Sequence, residues 1–336
     1  MRLLVVIPCL NEAATVASVI KDIPRAIAGI EAVTVAVVDD GSTDATAAVS
    51  RDAGAVVLSH GENRGVGAAF QTALSFAIDG GFDVMCNIDA DRQFDPNDIP
   101  RLVKSIVDGE ADFVSASRFV DASFMPDMPK VKHWGNLRMS SLVSGLAGKR
   151  FHDVSCGFRA YSREALLQLN LHGRFTYTQE TFLDLAFKGL RIKEIPVKVV
   201  YFAERKSRVA GNLFKYAQRT SSIIFRLYRD YHPLRFFWSI AGALLFVGVC
   251  FGSILLTHYV LTGKFTGQIW SGFVGGFFVV LGIAFGIVGV VADMLDRIRV
   301  NQERILYLLK KSSQTSTSEA LSLAQAPTTQ KTTTAA

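Results

Sequence analysis

The stretch Asp89-Ala90-Asp91-Arg92-Gln93 closes a hydrophobic run, residues 82–88, with two carboxylates one residue apart. Side chains alternate across a strand, so residues i and i+2 share a face. Asp89 and Asp91 therefore crowd two like charges at a strand end, and Gln93 follows at the same spacing. A cation between the carboxylates relieves that repulsion. Carboxylate and amide oxygens are hard ligands that suit Mg2+ or Mn2+, and no sulfur or imidazole at zinc-ligand spacing accompanies them. Mg2+ commonly takes one or two protein carboxylates and completes its shell with water and substrate phosphate. The motif reads as half of a metal site whose other half is a nucleotide diphosphate.

The elements that must position this motif follow from periodicity. Runs rich in Val and Ile at residues 3–8, 33–39, 55–59 and 82–89 predict strands. Helical patterns fill residues 12–28, 43–53 and 66–79 between them. Strands alternating with helices imply a parallel sheet covered on both faces. Ligands of such sheets bind outside the carboxyl ends of the strands. Asn11-Glu12, Asp39-Asp40 and Asp89/Asp91 all fall at those ends, so three acidic strand ends face one crevice. Further helices are predicted at 96–108 and 178–188, and strands at 112–117 and 191–199. Two basic amphipathic stretches, 132–149 and 213–229, are expected to lie in a membrane interface.

The chain has 336 residues, and its 49% hydrophobic content is high for a purely soluble protein. The excess concentrates in residues 236–259 and 269–292, neither of which contains Asp, Glu, Lys or Arg. Each run exceeds the ~20 apolar residues that a bilayer requires, so two transmembrane helices are predicted. Arg226, Arg229 and Arg235 precede the first and Arg297, Arg299 and Arg304 follow the second, while the connecting loop carries only Lys264. Basic flanks stay in the cytoplasm, which puts both termini and the preceding domain on the cytosolic face of the cell membrane. No signal peptide is expected from the opening residues. Cys9, Cys86, Cys156 and Cys250 form no CxxC pair, in keeping with a reducing compartment. The net charge of +6 suits an anionic membrane surface and not nucleic acid. Residues 294–311 predict a cytosolic helix, which with the two spans suggests a homo-oligomer, and residues 312–336 predict a disordered tail.

Several motifs together resemble the donor site of family 2 glycosyltransferases with the GT-A fold. They are Val5-Val6-Ile7-Pro8-Cys9-Leu10-Asn11-Glu12, Val37-Val38-Asp39-Asp40-Gly41-Ser42-Thr43-Asp44, Asn63-Arg64-Gly65-Val66-Gly67 and Asp89-x-Asp91-x-Gln93. Asp153-Val154-Ser155-Cys156-Gly157-Phe158-Arg159 is similar to a segment of the polyprenyl-phosphate branch of that family, which includes dolichyl-phosphate mannose synthases and bactoprenol glucosyltransferases. The resemblance spans about residues 3–230. It implies an α/β class domain, a Rossmann-like GT-A mostly parallel sheet over residues 1–210. A juxtamembrane amphipathic helix (211–234) and two transmembrane helices (235–293) would follow.

The resemblance also implies roles. Pro8, Asn11, Glu12, Asp39, Asp40, Asp89 and Ala90 would bind the nucleotide sugar, and Asp89, Asp91 and Gln93 the metal. Asp91, Arg118 and Asp153 would serve catalysis, with Asp153 orienting or deprotonating the acceptor. Arg118, Lys132, Asn136 and the cluster Arg205, Lys206 and Arg208 would face the acceptor and diphosphate. Leu10 stands where the family has an aromatic residue, and Lys132 with Asn136 where it often has Arg and Ser. The implied reaction is inverting transfer of a hexose from a UDP- or GDP-sugar to polyprenyl phosphate. A processive polysaccharide synthase would carry a Gln-x-x-Arg-Trp motif and more spans, which the sequence lacks. A non-catalytic scaffold has no use for a metal motif, and a nucleotidyltransferase normally opens with a Gly-rich phosphate loop.

Overall fold

The computed structural model describes residues 1–126, 128, 130–171, 177–200, 218, 221–222, 225–226 and 228–324. It comprises two compact units, Met1–Ile223 with Ile305–Ala336, and Ile224–Arg304. The first unit is built on a 7-stranded sheet. In chain order its strands are β1 (Arg2–Cys9), β2 (Ala32–Asp39), β3 (Val56–Ser59), β4 (Val84–Asn87), β5 (Phe113–Ser117), β6 (Arg159–Ser162) and β7 (Ile192–Pro196). Their order across the sheet is β3-β2-β1-β4-β6-β5-β7. All neighbouring pairs are parallel except those of β6, which runs antiparallel to both β4 and β5. The fold is the expected α/β, mostly parallel sheet.

Apolar alternation explains how the sheet is covered. Leu3, Val5 and Ile7 of β1 join Val16, Val19 and Ile20 of α1 (Val16–Asp22) in one core. Leu102, Val103 and Ile106 of a helix at Ile99–Val107 belong to the same cluster. Leu4 and Val6 are buried on the opposite pleat. That second face is filled by aromatics. Phe70 of the helix Val66–Asp79 packs on Tyr161 of β6, and Phe113 of β5 meets Phe182 edge-on at 5.1 Å. Helix α2 is Thr46–Asp52, α3 is Val66–Asp79 and α4 is Ile99–Val107, and α5 (Lys130–Ala147), α6 (Arg163–Gln168) and α7 (Thr178–Phe187) complete the first unit.

A strand and a helix absent from the sequence-based reading follow the 153–159 motif: β6 begins at its last residue, Arg159, and α6 comes directly after β6. The predicted helix at 12–28 is shorter, because Pro24 forces Ile23 into an extended conformation at the end of α1. Predicted helix 213–229 lies for the most part outside the described residues, as do Arg205, Lys206 and Arg208.

The second unit contains α8 (Pro233–Thr262) and most of α9 (Ile269–Ala324). Both are long and apolar enough to cross a membrane, with mean hydropathies of 2.3 and 2.6 in their most apolar windows. They pack through glycines spaced by a heptad on α9. A Cβ on Gly275 would lie 2.9 Å from the Gly248 carbonyl, one on Gly282 2.8 Å from Leu245, and one on Gly289 3.0 Å from Phe237. Large side chains point outward instead: Phe246 is 70% exposed and Phe273 74%.

Helix α9 continues to Ala324, past the boundary at 312 where a disordered tail was predicted. No Gly or Pro interrupts this stretch before Pro327. Its later part belongs to the first unit and docks on α6. Tyr307 Oη donates to Glu164 Oε2 at 3.1 Å. Lys310 Nζ donates to the carbonyls of Leu167 and Leu169 at 3.3 and 3.0 Å and to Asn170 Oδ1 at 3.2 Å. These are the carbonyls that a helix C-terminus leaves without an internal partner.

Candidate active site

The register of β1 against β2 sets Cys9 opposite Asp39, and hydrogen bonds join the two loops that follow. The Asn11 N–H donates to Ser42 Oγ at 2.9 Å and the Thr43 N–H to Asn11 Oδ1 at 2.8 Å. The Glu12 N–H donates to Thr46 Oγ1 at 2.8 Å and the Ala13 N–H to Asp44 Oδ2 at 3.2 Å. Pro8, Asn11 and Glu12 are thereby carried beside Asp39. Buried Asp39 accepts the Ser42 N–H at 3.0 Å and the Ser59 hydroxyl at 3.4 Å. Asp40 is buried too, and the 60–65 loop takes its carboxylate. It accepts the N–H groups of Arg64 and Gly65 at 2.9 and 2.8 Å and lies 2.7 Å from His60 Nδ1. Gly41, at φ 77°, allows that loop to approach, since a Cβ there would stand 2.6 Å from the Glu62 backbone.

The charge at these strand ends registers on Cys9. Burial pushes its thiol well above the ordinary value, and the carboxylates of Glu12, Asp39, Asp89 and Asp44 raise it further. The carboxyl ends of β1, β2 and β4 thus share one negative field. Asp89, Asp91 and Gln93 are half-buried after β4, and Ala90 is buried between them. Asp91 Oδ1 accepts the Gln93 N–H at 3.1 Å across a tight turn, and Arg92 within it has φ 60°. Among the described residues Asn11 and Arg92 are the non-glycine positions with positive φ. Both stand at strand carboxyl ends, where backbone strain is characteristic of functional sites.

The backbone of Gly157 walls one side of Asp89. A Cβ at position 157 would lie 2.9 Å from Asp89 Oδ2, so any larger residue there would displace that carboxylate. Asn87, on the same strand face as Asp89, donates through Nδ2 to the Gly157 carbonyl and to Tyr177 Oη. Its Oδ1 is buried without a partner among the described residues. No group of three or more His, Cys, Asp or Glu is gathered as a metal cage among the described residues. Two carboxylates and an amide against a glycine cradle instead fit Mg2+ or Mn2+ shared with a substrate diphosphate. A cleft of about 550 Å3 opens beside the turn, lined by Asp22, Arg92, Gln93 and Lys198. It includes neither Asp89 nor Asp91, so the clustered carboxylates, and not this cleft, mark the site.

A second, cationic group stands on the other side of residues 153–157. Arg118, just after β5, is buried and grips fully buried Asp153 with Nε at 2.6 Å and Nη2 at 2.7 Å. Nη2 also donates to Ser155 Oγ at 2.7 Å, and Ser155 Oγ lies 3.2 Å from Asn136 Oδ1 of α5. Burial pushes the Asp153 carboxyl up, but the charge and hydrogen bonds of Arg118 outweigh it and hold it below the ordinary range. Lys132, half-buried on α5, is held below the usual lysine value by burial and then by the Arg118 charge. Asn136 Nδ2 is buried without a partner among the described residues. The structure thus brings Arg118, Lys132, Asn136 and Asp153 together. Ser155, Gly157, Asn87 and Tyr177 were not assigned roles from sequence, although the 153–159 motif contains two of them.

Residues 4–169 match the profile described as glycosyl transferase family 2. A dolichyl-phosphate hexose transferase of Haloferax volcanii is 33% identical over 58% of this chain and 81% of its own. A UDP-N-acetylglucosamine–dolichyl-phosphate N-acetylglucosaminyltransferase of Methanococcus voltae is 29% identical over 58% of this chain and 84% of its own. Among solved structures, glucosyl-3-phosphoglycerate synthase of Mycobacterium tuberculosis, in complex with Mn2+, UDP-glucose and phosphoglyceric acid, superimposes with a TM-score of 0.53. It is 23% identical, covers 68% of this chain and 79% of its own, and shows the GT-A fold. The chain belongs to glycosyl transferase family 2, in its polyprenyl-phosphate sugar transferase branch.

Proposed function

We propose that the protein transfers a hexose from a UDP- or GDP-sugar to a polyprenyl phosphate at the cytosolic face of a membrane, with inversion at the anomeric carbon. The observation that carries this reading is the pairing of an acidic and a cationic cluster across residues 153–157. Gly157 abuts Asp89, and Asp153 and Ser155 hold Arg118. Two anionic substrates could meet there, the donor diphosphate through a cation held by the acidic cluster and the acceptor phosphate directly on the cationic one.

Glu12 and Asp39 hold the nucleoside in the paired loops after β1 and β2, and Asp40 acts indirectly by fixing the 60–65 loop. Asp89, Asp91 and Gln93 would hold the metal, which would supply Lewis-acid neutralisation of the diphosphate charge. Arg118, Lys132 and Asn136 bind the lipid phosphate by charge-assisted and amide hydrogen bonds. A phosphate monoester carries about −1.5 to −2 charges at neutral pH, so its oxygen is already a nucleophile and needs no general base. Asp153 agrees with that chemistry. Its carboxylate is buried, bound on both oxygens and held ionised, which suits it to orient Arg118 and not to accept a proton. The two apolar helices anchor the enzyme where its acceptor resides, with basic flanks and both termini in the cytosol. The exposed Trp134, Leu137 and Arg138 of α5 meet the lipid headgroups.

The test uses purified protein in detergent with Mg2+ or Mn2+, short-chain polyprenyl phosphate and a panel of labelled UDP- and GDP-hexoses. Label is expected in the organic phase with one donor, and to vanish in Asp91→Ala. Donor hydrolysis alone, or label only in an aqueous polymer, overturns the reading.

A further inference from the structure

Arg159 has no part in the chemistry proposed above, yet it is the largest side chain with no solvent exposure. Removing a guanidinium from water is costly unless each donor finds a partner. Three of its hydrogen bonds go to backbone carbonyls. Nε donates to Cys156 O at 2.7 Å, Nη2 to Val154 O at 3.1 Å and Nη1 to Thr178 O at 2.8 Å. The rings of Phe113, Tyr177 and Phe182 surround it, with centroids 5.6, 5.8 and 5.0 Å from Cζ.

Two of the three carbonyls belong to the short segment between Asp153 and Gly157. That segment is where the acidic and cationic halves of the site meet. Asp153 at its start holds Arg118, and Gly157 at its end lies against Asp89. The third carbonyl follows Tyr177, whose hydroxyl receives the Asn87 amide that also binds the Gly157 carbonyl. One side chain therefore fixes both ends of the bridge and the residue that supports it from behind.

We propose that Arg159 is a positioning residue that sets the donor-metal and acceptor-phosphate halves of the site in register through residues 154–157. This inference rests on the lipid-phosphate reading above. Displacement of the segment moves Gly157 against Asp89 and swings Asp153 with Arg118, so both halves are disturbed at once. A residue that merely supports the fold would reduce the amount of competent protein without altering the constants of the remainder.

The experiment compares wild type with Arg159→Lys, which keeps the charge but cannot reach three carbonyls. Its companion is Phe182→Leu, which removes the closest ring and leaves every hydrogen-bonding group in place. Calorimetric titration of Mn2+–UDP and Mn2+–GDP reports affinity and the fraction of competent sites, and steady-state transfer reports KM for polyprenyl phosphate. For Arg159→Lys we expect a roughly tenfold weaker metal–nucleotide Kd together with a roughly tenfold higher acceptor KM, after correction for competent sites. Phe182→Leu should shift both in the same direction by a smaller factor. As a reference, Lys132→Gln, which leaves the bonds to residues 153–157 in place, should raise only the acceptor KM. If the constants of both variants match wild type and only stoichiometry or Tm falls, Arg159 is a purely structural residue and the inference is overturned. Wild-type protein that binds nucleotide but labels no lipid phosphate would instead defeat the functional reading, a result distinct from either pattern.

Discussion

At the residue scale, the arrangement of Arg118 and Asp153 settles what each can do. Arg118 presents two nitrogens to one buried carboxylate, so neither charge is left unpaired. Removing one partner of such a buried pair typically costs about 3–5 kcal/mol. Asp153→Asn should therefore lower stability on that order and reduce transfer through a raised acceptor KM, measured by denaturant midpoint and steady-state kinetics. Because the folded carboxyl lies below its unfolded value, the pair contributes stability above about pH 4 and loses it only as pH falls further. Lys132 behaves in the opposite sense. Its ammonium is lost on raising pH at a point below the ordinary 10.5, because burial and Arg118 disfavour its charge. Acceptor KM should rise as the pH climbs toward that point, and Lys132→Arg should flatten the rise. Much of this was legible in sequence, since Asp89, Asp91, Arg118 and Asp153 stand in recognisable motifs. The role of Gly157 was not, because the space a Cβ would fill depends on Asp89, far away in the chain.

At the scale of elements, periodicity served wherever a strand or helix had one clear pattern. Helix α3 occupies residues 66–79, as its apolar spacing predicts. The strand β6 was hidden for a physical reason. It is four residues long, its first three positions are all buried, and it begins with an arginine that neutral backbone carbonyls and aromatic rings accommodate. Nothing in its alternation signals a strand. The contact between α9 and α6 was hidden too, since Lys310 meets carbonyls about 140 residues away in sequence. Those carbonyls end α6, and Lys188 Nζ covers the neighbouring Gln168 carbonyl at 2.6 Å. Hydrogen bonds that involve a charged group contribute roughly 1.5–3 kcal/mol each. Lys310→Met should accordingly lower the unfolding midpoint of the catalytic unit by a few degrees, and Lys310→Arg should recover most of the loss. Unchanged melting in Lys310→Met would remove α9 from the account of how α6 is held.

At the scale of the whole molecule, two requirements meet in one chain. A nucleotide-sugar site needs a rigid sheet whose strand ends converge, and β1, β2 and β4 provide it. The proposed lipid acceptor calls for an enzyme attached to its bilayer, and two apolar helices packed through glycines, with large side chains outward, are long enough to span one. In the proposed reaction the attacking group is a phosphate oxygen that needs no base from the protein. The most direct test offers the competent labelled donor to polyprenyl phosphate and, in parallel, to the free polyprenol of the same chain length. Label is expected on the phosphate alone, because Arg118, Lys132 and Asn136 would have nothing to bind in the alcohol and Asp153, bound on both oxygens by Arg118, is not placed to deprotonate it. Comparable labelling of the alcohol would contradict this reading and require a base that the Arg118–Asp153 pair does not supply.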